Sequence, residues 1–345
     1  MARPLRIAID AMGGDFAPLN EIKGAISAAA LFKTPVEIVF IGRETEIKEV
    51  LKGQDAKGMK YSIIHADDVV TMDDEPSSVV KKKRNSSLYI GVDLHKKGEV
   101  DAFVSGGNTG AVMSTATLLL GRIKGVSRPT IGAFFPTEKT GIPALVLDVG
   151  ANVDSKPRHL YEFGVMGSIY TSLIVGIKNP KIGLLNVGEE DSKGTEIVQQ
   201  THELLKNSSL NFIGNVEGRD IFKGSADVVL CDGFIGNIVL KFGESMFGFL
   251  KSKIKSYASR GFIQKLSVAA IAPTLKKVLK DIDYQEYGGV PLLGVNGVVI
   301  IGHGSSSPGA IQNMLLRAVE VVEKGVNRHI EAALNSPAVP PKQVL

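Results

Sequence analysis

The sequence predicts an α/β protein built on a mostly parallel sheet with helices covering both faces. Short apolar runs alternate with helix-forming stretches along nearly the whole chain, the rhythm of βα units whose strands are buried on both sides. Many of those runs end in a turn rich in Gly, Asn or Asp, with a helical stretch directly after it. Ligands of open α/β sheets sit beyond the carboxyl ends of the strands, so these turns, expected along one edge, are the candidate site. At 345 residues, 44% apolar and 22% charged, the chain can bury a substantial core and has an ordinary soluble composition.

In order, residues 7–10 form a strand, followed by the turn Gly13-Gly14 and a helix from Pro18 to about residue 31; proline suits a first helical turn. Strands at 36–41 and 61–65 flank a helix at 44–51. Residues 67–76 are acidic and irregular and lead to Lys81-Lys82-Lys83-Arg84 and a helix at 86–96. The basic cluster is a solvated helix start or a dock for an acidic protein. A strand at 101–105 then opens into Gly106-Gly107-Asn108-Thr109-Gly110 and a helix at 111–120, with Asn108 or Thr109 as its cap. Paired strands at 131–135 and 144–149 lead to a second glycine/Asn turn and a helix at 158–175. Strands at 181–186, 211–214 and 226–231 follow, with a helix ending near Leu205 and another from Ile238 onward. Residues 256–283 stand apart: apolar Phe262, Leu266, Val268 and Ile271 are interleaved with Arg260 and Lys265. Pro273 predicts two helices with an apolar elbow at 268–272. Such a hairpin packs on the core or on a second subunit, or lies on anionic lipid. A strand at 298–301 and Gly302-His303-Gly304 precede a long helix at 308–334, and residues 336–345 form a frayed tail. The whole of 1–335 reads as a single domain with the hairpin inserted.

The lone Cys231 excludes an internal disulfide and suits a reducing compartment; buried in an apolar run, it reads as a small strand residue. The start of the chain runs straight into a strand, so no signal peptide is visible, and no apolar stretch is long enough to span a bilayer. A cytoplasmic protein is expected. The net charge of +4 is mild and suits acidic partners, a lipid surface or simple solubility; no nucleic-acid partner is expected. No HExxH, paired cysteines or close His/carboxylate group suggests a metal site. A Gly-x-Ser-x-Gly elbow is missing, as is a dinucleotide fingerprint. What remains is a set of glycine turns able to hold an anion against helix N-termini, together with Lys193, Asn237 and His303. His303 can be structural or can handle a ligand or proton. This set suits phosphate attacking a thioester. Phosphate is already an anionic nucleophile and thiolate a good leaving group, so orientation and oxyanion stabilisation carry most of the barrier.

Asp10-Ala-Met-Gly-Gly-Asp-Phe-Ala-Pro18, Ser105-Gly-Gly-Asn-Thr-Gly-Ala111, Leu147-Asp-Val-Gly-Ala-Asn-Val-Asp154, Leu185-Asn-Val-Gly-Glu-Glu-Asp191, Phe212-Ile-Gly-Asn-Val-Glu217 and Gly302-His-Gly-Ser-Ser306 together resemble the phosphate acyltransferase (PlsX) family of bacterial phospholipid synthesis. The resemblance runs nearly the whole chain. It implies a three-layer α/β/α fold akin to isocitrate/isopropylmalate dehydrogenases and phosphotransacetylases. It implies conversion of acyl-acyl carrier protein and inorganic phosphate to acyl phosphate and free carrier protein, with no metal or organic cofactor. It also implies a homodimer attached peripherally to the anionic inner face of the cell membrane, supplying a glycerol-3-phosphate acyltransferase. The family's catalytic residues fall on Lys193 and Asn237; Gly13, Gly14, Gly106, Gly107, Asn108, Thr109, Gly110 and His303 fall on its phosphate- and acyl-binding turns. Phe262, Leu266, Val268 and Ile271 fall on its lipid-touching hairpin. The loop at 137–143 is short for the family.

Overall fold

The computed structural model describes residues 3–280 and 288–336. Eleven strands form one sheet in the order β3 (Lys60–His65), β2 (Val36–Gly42), β1 (Leu5–Asp10), β4 (Ala102–Ser105), β11 (Val299–Ile301), β10 (Val290–Leu293), β5 (Thr130–Phe135), β6 (Ala144–Leu147), β9 (Val228–Leu230), β7 (Ile182–Leu185) and β8 (Phe212–Val216). Strands β3, β2, β1, β4 and β11 are parallel to one another, and so are β6, β9, β7 and β8. Between these blocks, β10 is antiparallel to β11 and to β5, and β5 is antiparallel to β6. The three reversals make the two blocks run in opposite directions. The blocks are also staggered. Ile301 at the end of β11 pairs with Val290, Leu293 pairs with Thr130 at the start of β5, and Leu147 at the end of β6 pairs with Gly132. The carboxyl ends of both blocks therefore reach the same level and face each other across β10 and β5.

This geometry corrects the expectation that all the glycine turns share one edge. They lie on the two carboxyl edges of opposed blocks, and the stagger brings those edges together. The βα rhythm of the sequence conceals the reversal, because β10 contains Pro291 and a proline argues against a central strand. Here Val290 and Pro291 pair only with β11, while Leu292 and Leu293 pair only with β5. The missing proline N–H thus falls where the strand changes neighbours.

Helices α1 (Leu19–Ala29), α2 (Glu44–Lys52) and α11 (Pro308–Glu323) cover the first block on one face, and α6 (Pro157–Tyr170), α7 (Glu196–Lys206) and α12 (Val326–Asn335) cover the second. The opposite face carries α4 (Ser87–Lys96), α5 (Thr109–Leu120), α8 (Gly218–Lys223) and α9 (Gly233–Ala258) over a core that joins Phe103 of one block to Val146 and Val229 of the other. The short helix α3 (Pro76–Lys82), with Pro76 in its first turn, occupies the end of the acidic segment and leads into the basic cluster. The long C-terminal helix is two helices, because Gly325 adopts a left-handed φ of 59° and closes α11.

The hairpin also differs from expectation. Its first arm is the outer half of α9, and its second is one helix, α10 (Phe262–Lys280), which runs through Pro273. The chain reverses at residues 259–261, where Ser259 and Arg260 N–H groups bond back to Lys255 and Tyr257 carbonyls. A proline costs a helix one N–H donor and a local bend, and here it does not set the corner. The expected end of the hairpin at 281–283 and the tail at 337–345 lie outside the described residues.

Because β10, paired to β5, couples the blocks through the sheet, Leu292→Ala should cost about 2–5 kcal/mol, the range for a buried leucine; Leu292 is 3% exposed. Urea unfolding followed by far-UV circular dichroism tests this, and a loss under about 1 kcal/mol would contradict it.

Candidate active site

On the first block, three strand-end loops lock together. Asp10, buried at the end of β1, accepts hydrogen bonds from Ser105 Oγ (2.8 Å) and Met12 N–H (3.2 Å). Gly107 N–H donates to the same Ser105 hydroxyl (3.0 Å). Burial raises the Asp10 carboxyl above its ordinary range. Asp15 N–H donates to the Gly304 carbonyl (2.8 Å), so Gly13-Gly14, Gly106-Gly107 and His303-Gly304 form one continuous rim. Asn108, rather than Thr109, caps α5. Its Oδ1 accepts from Ala111 N–H (3.0 Å), while its amide donates to the carbonyls of Thr71, Met72 and Asp74. The next carboxyl inward, Glu21 on α1, lies against Gly14. One of its oxygens is buried without a hydrogen-bond partner, and burial lifts its pKa to about 7.

The second block repeats the Asp10 device. Asp148, fully buried after β6, accepts from Gly150 (3.2 Å), Ala151 (2.7 Å) and Asn152 (2.8 Å) N–H groups and from the Asn152 amide (2.7 Å). Burial raises its pKa to about 6 against the pull of those donors. The first turn of α9, capped by Asp232 through Ile235 N–H (2.9 Å), is pressed onto this loop. A Cβ on Gly236 would collide with the Asp148 carbonyl, so only glycine permits the approach. The contact sets Asn237 beside Gly150.

A cavity of about 370 Å³ lies where the two edges meet. Thr109 and Gly110 of α5, His303 and Ser306 before α11, and Gly150 and Asn237 of the second block all line it, over walls that include Met113, Ile131, Ala133, Leu240 and Met314. The N-terminal turn of α5, the loop that leads into α11 and the second turn of α9, through Asn237, therefore surround a mostly apolar chamber. The α5 dipole, with the backbone of Thr109 and Gly110, favours an anion at its mouth. His303 Nδ1 accepts from Ser305 N–H (3.2 Å), which places the proton of the neutral ring on Nε2. Lys241 and Glu244 pair at 2.9 Å on the same wall.

Lys193 does not line this cavity. It lies on the exposed loop between β7 and α7, and Thr195 on that loop lines a second cavity of about 310 Å³ on the Asp232/Ile235 side of α9's first turn. Side-chain amides grip the loop: Asn215 holds the Glu190 carbonyl, Gln199 those of Ser192 and Gly194, and Asn186 that of Lys193. The buried His202 braces the same loop, facing Asn215 Oδ1 (3.2 Å) and the Asp191 carboxylate (3.4 Å). Asp148, Glu21, Asn215 and Gln199 were missed as site-shaping residues from sequence. Asp148 and Asn215 carried a signal there, since both stand in the motifs quoted above, Leu147-Asp-Val-Gly150 and Phe212-Ile-Gly-Asn215. Among the described residues, no group of His, Cys, Asp or Glu is arranged to hold a metal.

The fold is the one found in phosphotransacetylases. The chain superposes on the EutD phosphotransacetylase from Staphylococcus aureus with a TM-score of 0.58 and 18% identity, covering 93% of this chain and 94% of that one. A phosphotransacetylase from Streptococcus pyogenes gives 0.57 and 20%, with 96% and 95% covered. The profile of the fatty acid synthesis protein family matches residues 5–329. The phosphate acyltransferase of Dictyoglomus turgidum is 47% identical over 336 residues, 96% of this chain and 98% of its own. That of Desulfitobacterium hafniense (strain DSM 10664 / DCB-2) is 49% identical over 331, again 96% and 98%. The chain belongs to this family.

Glu21 gives the site a pH signature. Its folded pKa of about 7 lies above the ordinary 4.5 of a glutamate, so the folded state holds the proton more tightly. The stabilisation is complete below pH 4.5 and is lost as pH rises through about 7. Glu21→Gln should therefore gain about 3 kcal/mol on the parent between pH 4.5 and 8. Urea titrations at the two pH values check this; equal stability differences at both would contradict it.

Proposed function

We propose that the protein transfers an acyl group from acyl carrier protein to inorganic phosphate. The observation that supports this most is the meeting of the α5 N-terminus, His303 and Asn237 at one mostly apolar cavity. Phosphate held by Thr109, Gly110 and the His303 Nε2–H attacks the thioester carbonyl carbon. A C–O bond forms, the carbonyl oxygen takes the charge, and collapse of the tetrahedral intermediate breaks the C–S bond to release carrier thiolate and acyl phosphate. The reaction balances without electron transfer, and phosphate already carries its charge, so it calls for no organic cofactor. Asn237 donates to the oxyanion, a role worth about 3–4 kcal/mol for a preorganised donor. Lys193, on the exposed loop across the first turn of α9, contributes its charge to drawing phosphate toward the site.

The surroundings support the rest of the reading. Phe262 (81%), Ile263 (74%), Leu266 (62%) and Ile271 (56%) are exposed on α10, with Val268 half-buried among them and exposed Arg260 and Lys265 alongside. This apolar and basic arm suits peripheral attachment to anionic lipid at the inner face of the cell membrane. No helix among the described residues is long and apolar enough to cross a membrane. A stripe at helical spacing on α9, Phe234, Ile238, Phe242, Met246 and Phe249, is exposed and suits a homodimer. Lys81, Lys82, Arg84, Arg122, Lys124 and Arg128 present positive charge to an acidic carrier protein. Acyl phosphate is a labile mixed anhydride, so a glycerol-3-phosphate acyltransferase at the same membrane would consume it directly.

Lys193→Ala and Asn237→Ala should each lower phosphate-dependent acyl phosphate formation by about 100- to 1,000-fold while leaving circular dichroism unchanged. Hydroxylamine trapping reads the product, and parent-like rates would refute the assignment. Leu266→Glu with Ile271→Glu should abolish flotation with anionic vesicles; a double variant that still floats would clear the hairpin of that role.

A further inference from the structure

The cavity has a direction that the reaction alone does not require. Asn237, Leu240, Lys241 and Glu244 line it from α9, so it follows that helix for about 10 Å from the reacting end. Its floor is β5, where Ile131 and Ala133 line the cavity. Phe135, two residues on, shares their face, because side chains in a strand alternate. Just beyond lies a small cleft of about 20 Å³, bounded by Leu240, Gly243 and Glu244 of α9 together with Phe134, Phe135, Pro136 and Phe222. Phe134, Leu240 and Glu244 border both spaces. The Phe135 and Phe222 rings meet edge to face, with centroids 6.2 Å apart, and Gly243 packs against Phe135. The passage thus has an anion-binding end, an apolar barrel and an aromatic end wall.

That combination fits an amphiphile with a polar head and an extended hydrocarbon tail. Resting on the acyl-transfer reading above, we propose that the acyl chain lies between β5 and α9, pointing from Asn237 toward Phe135. The Phe135–Phe222 pair is the stop that sets the longest chain accepted. A second arm of the cavity, toward Ala310 and Met314 of α11, stays empty of chain. Phe222 is half-exposed on a short helix at 43%, so its truncation opens the stop without hollowing the core. Ala133 is buried in the floor, and a larger residue there shortens the barrel.

The test is the dependence of kcat/KM on chain length, using acyl carrier protein loaded with octanoyl through octadecanoyl groups, inorganic phosphate and hydroxylamine trapping. Phe222→Ala should raise the dodecanoyl-to-octanoyl ratio about tenfold, and Ala133→Leu should lower it by a similar factor, the size of effect that single methylenes have in apolar pockets. A ratio unchanged in Phe222→Ala would overturn the proposal, whether or not Ala133→Leu folds. So would a shift produced by Met314→Ala and not by Phe222→Ala, which would place the chain in the other arm. Failure of the parent protein to form acyl phosphate at any chain length is a different result: it would refute the acyl-transfer reading itself.

Discussion

The antiparallel link through β10 and β5 is the constraint on which the rest of the structure depends. A sheet of uniformly parallel strands would put every strand-end loop on one edge, open to solvent along its length. Reversing the chain direction midway, with a stagger that stops β11 and β6 at the same level, turns two such edges toward each other. The loops then form opposing walls of a chamber. A fold built mostly from βα units acquires a sheltered cavity beside a helix N-terminus with no separate lid.

Each wall is stiffened in the same way. Asp10 ends β1, the middle strand of the first block, and Asp148 follows β6, the strand of the second block beside β5; both are almost wholly buried. Each accepts hydrogen bonds from the loop that follows it. Burying a carboxylate is costly unless it is well bonded, and the raised pKa of both groups records that cost. In return the backbone of each turn is fixed, so the N–H groups of the neighbouring helices are held in place before any ligand arrives. Preorganised donors of this kind stabilise developing charge without reorganising during the reaction.

Much of this was legible in the sequence, for a local reason. Gly-Gly-Asn108 and Asp232 announce helix starts because capping and tight turning are chosen by residues adjacent in the chain. The strands and helices that follow those signals lie where the pattern puts them, within a few residues. Pairing between distant strands has no such local mark. Pro291 concealed β10, and with it the reversal that brings Gly150 and Asn237 opposite Thr109 and His303. Pro273 misled in the opposite sense, since an exposed helix tolerates one lost hydrogen bond. The amides of Asn215 and Gln199 were invisible as loop clamps, because their targets are backbone carbonyls and any sequence supplies those.

A crystal structure with inorganic phosphate and a non-reactive thioether analogue of acyl-pantetheine tests the central claim most directly. The account requires phosphate at the N-terminal turn of α5 beside His303, with the acyl group entering the chamber past Asn237. Phosphate and acyl group both seated in the second cavity, on the Asp232 side of α9, would contradict it.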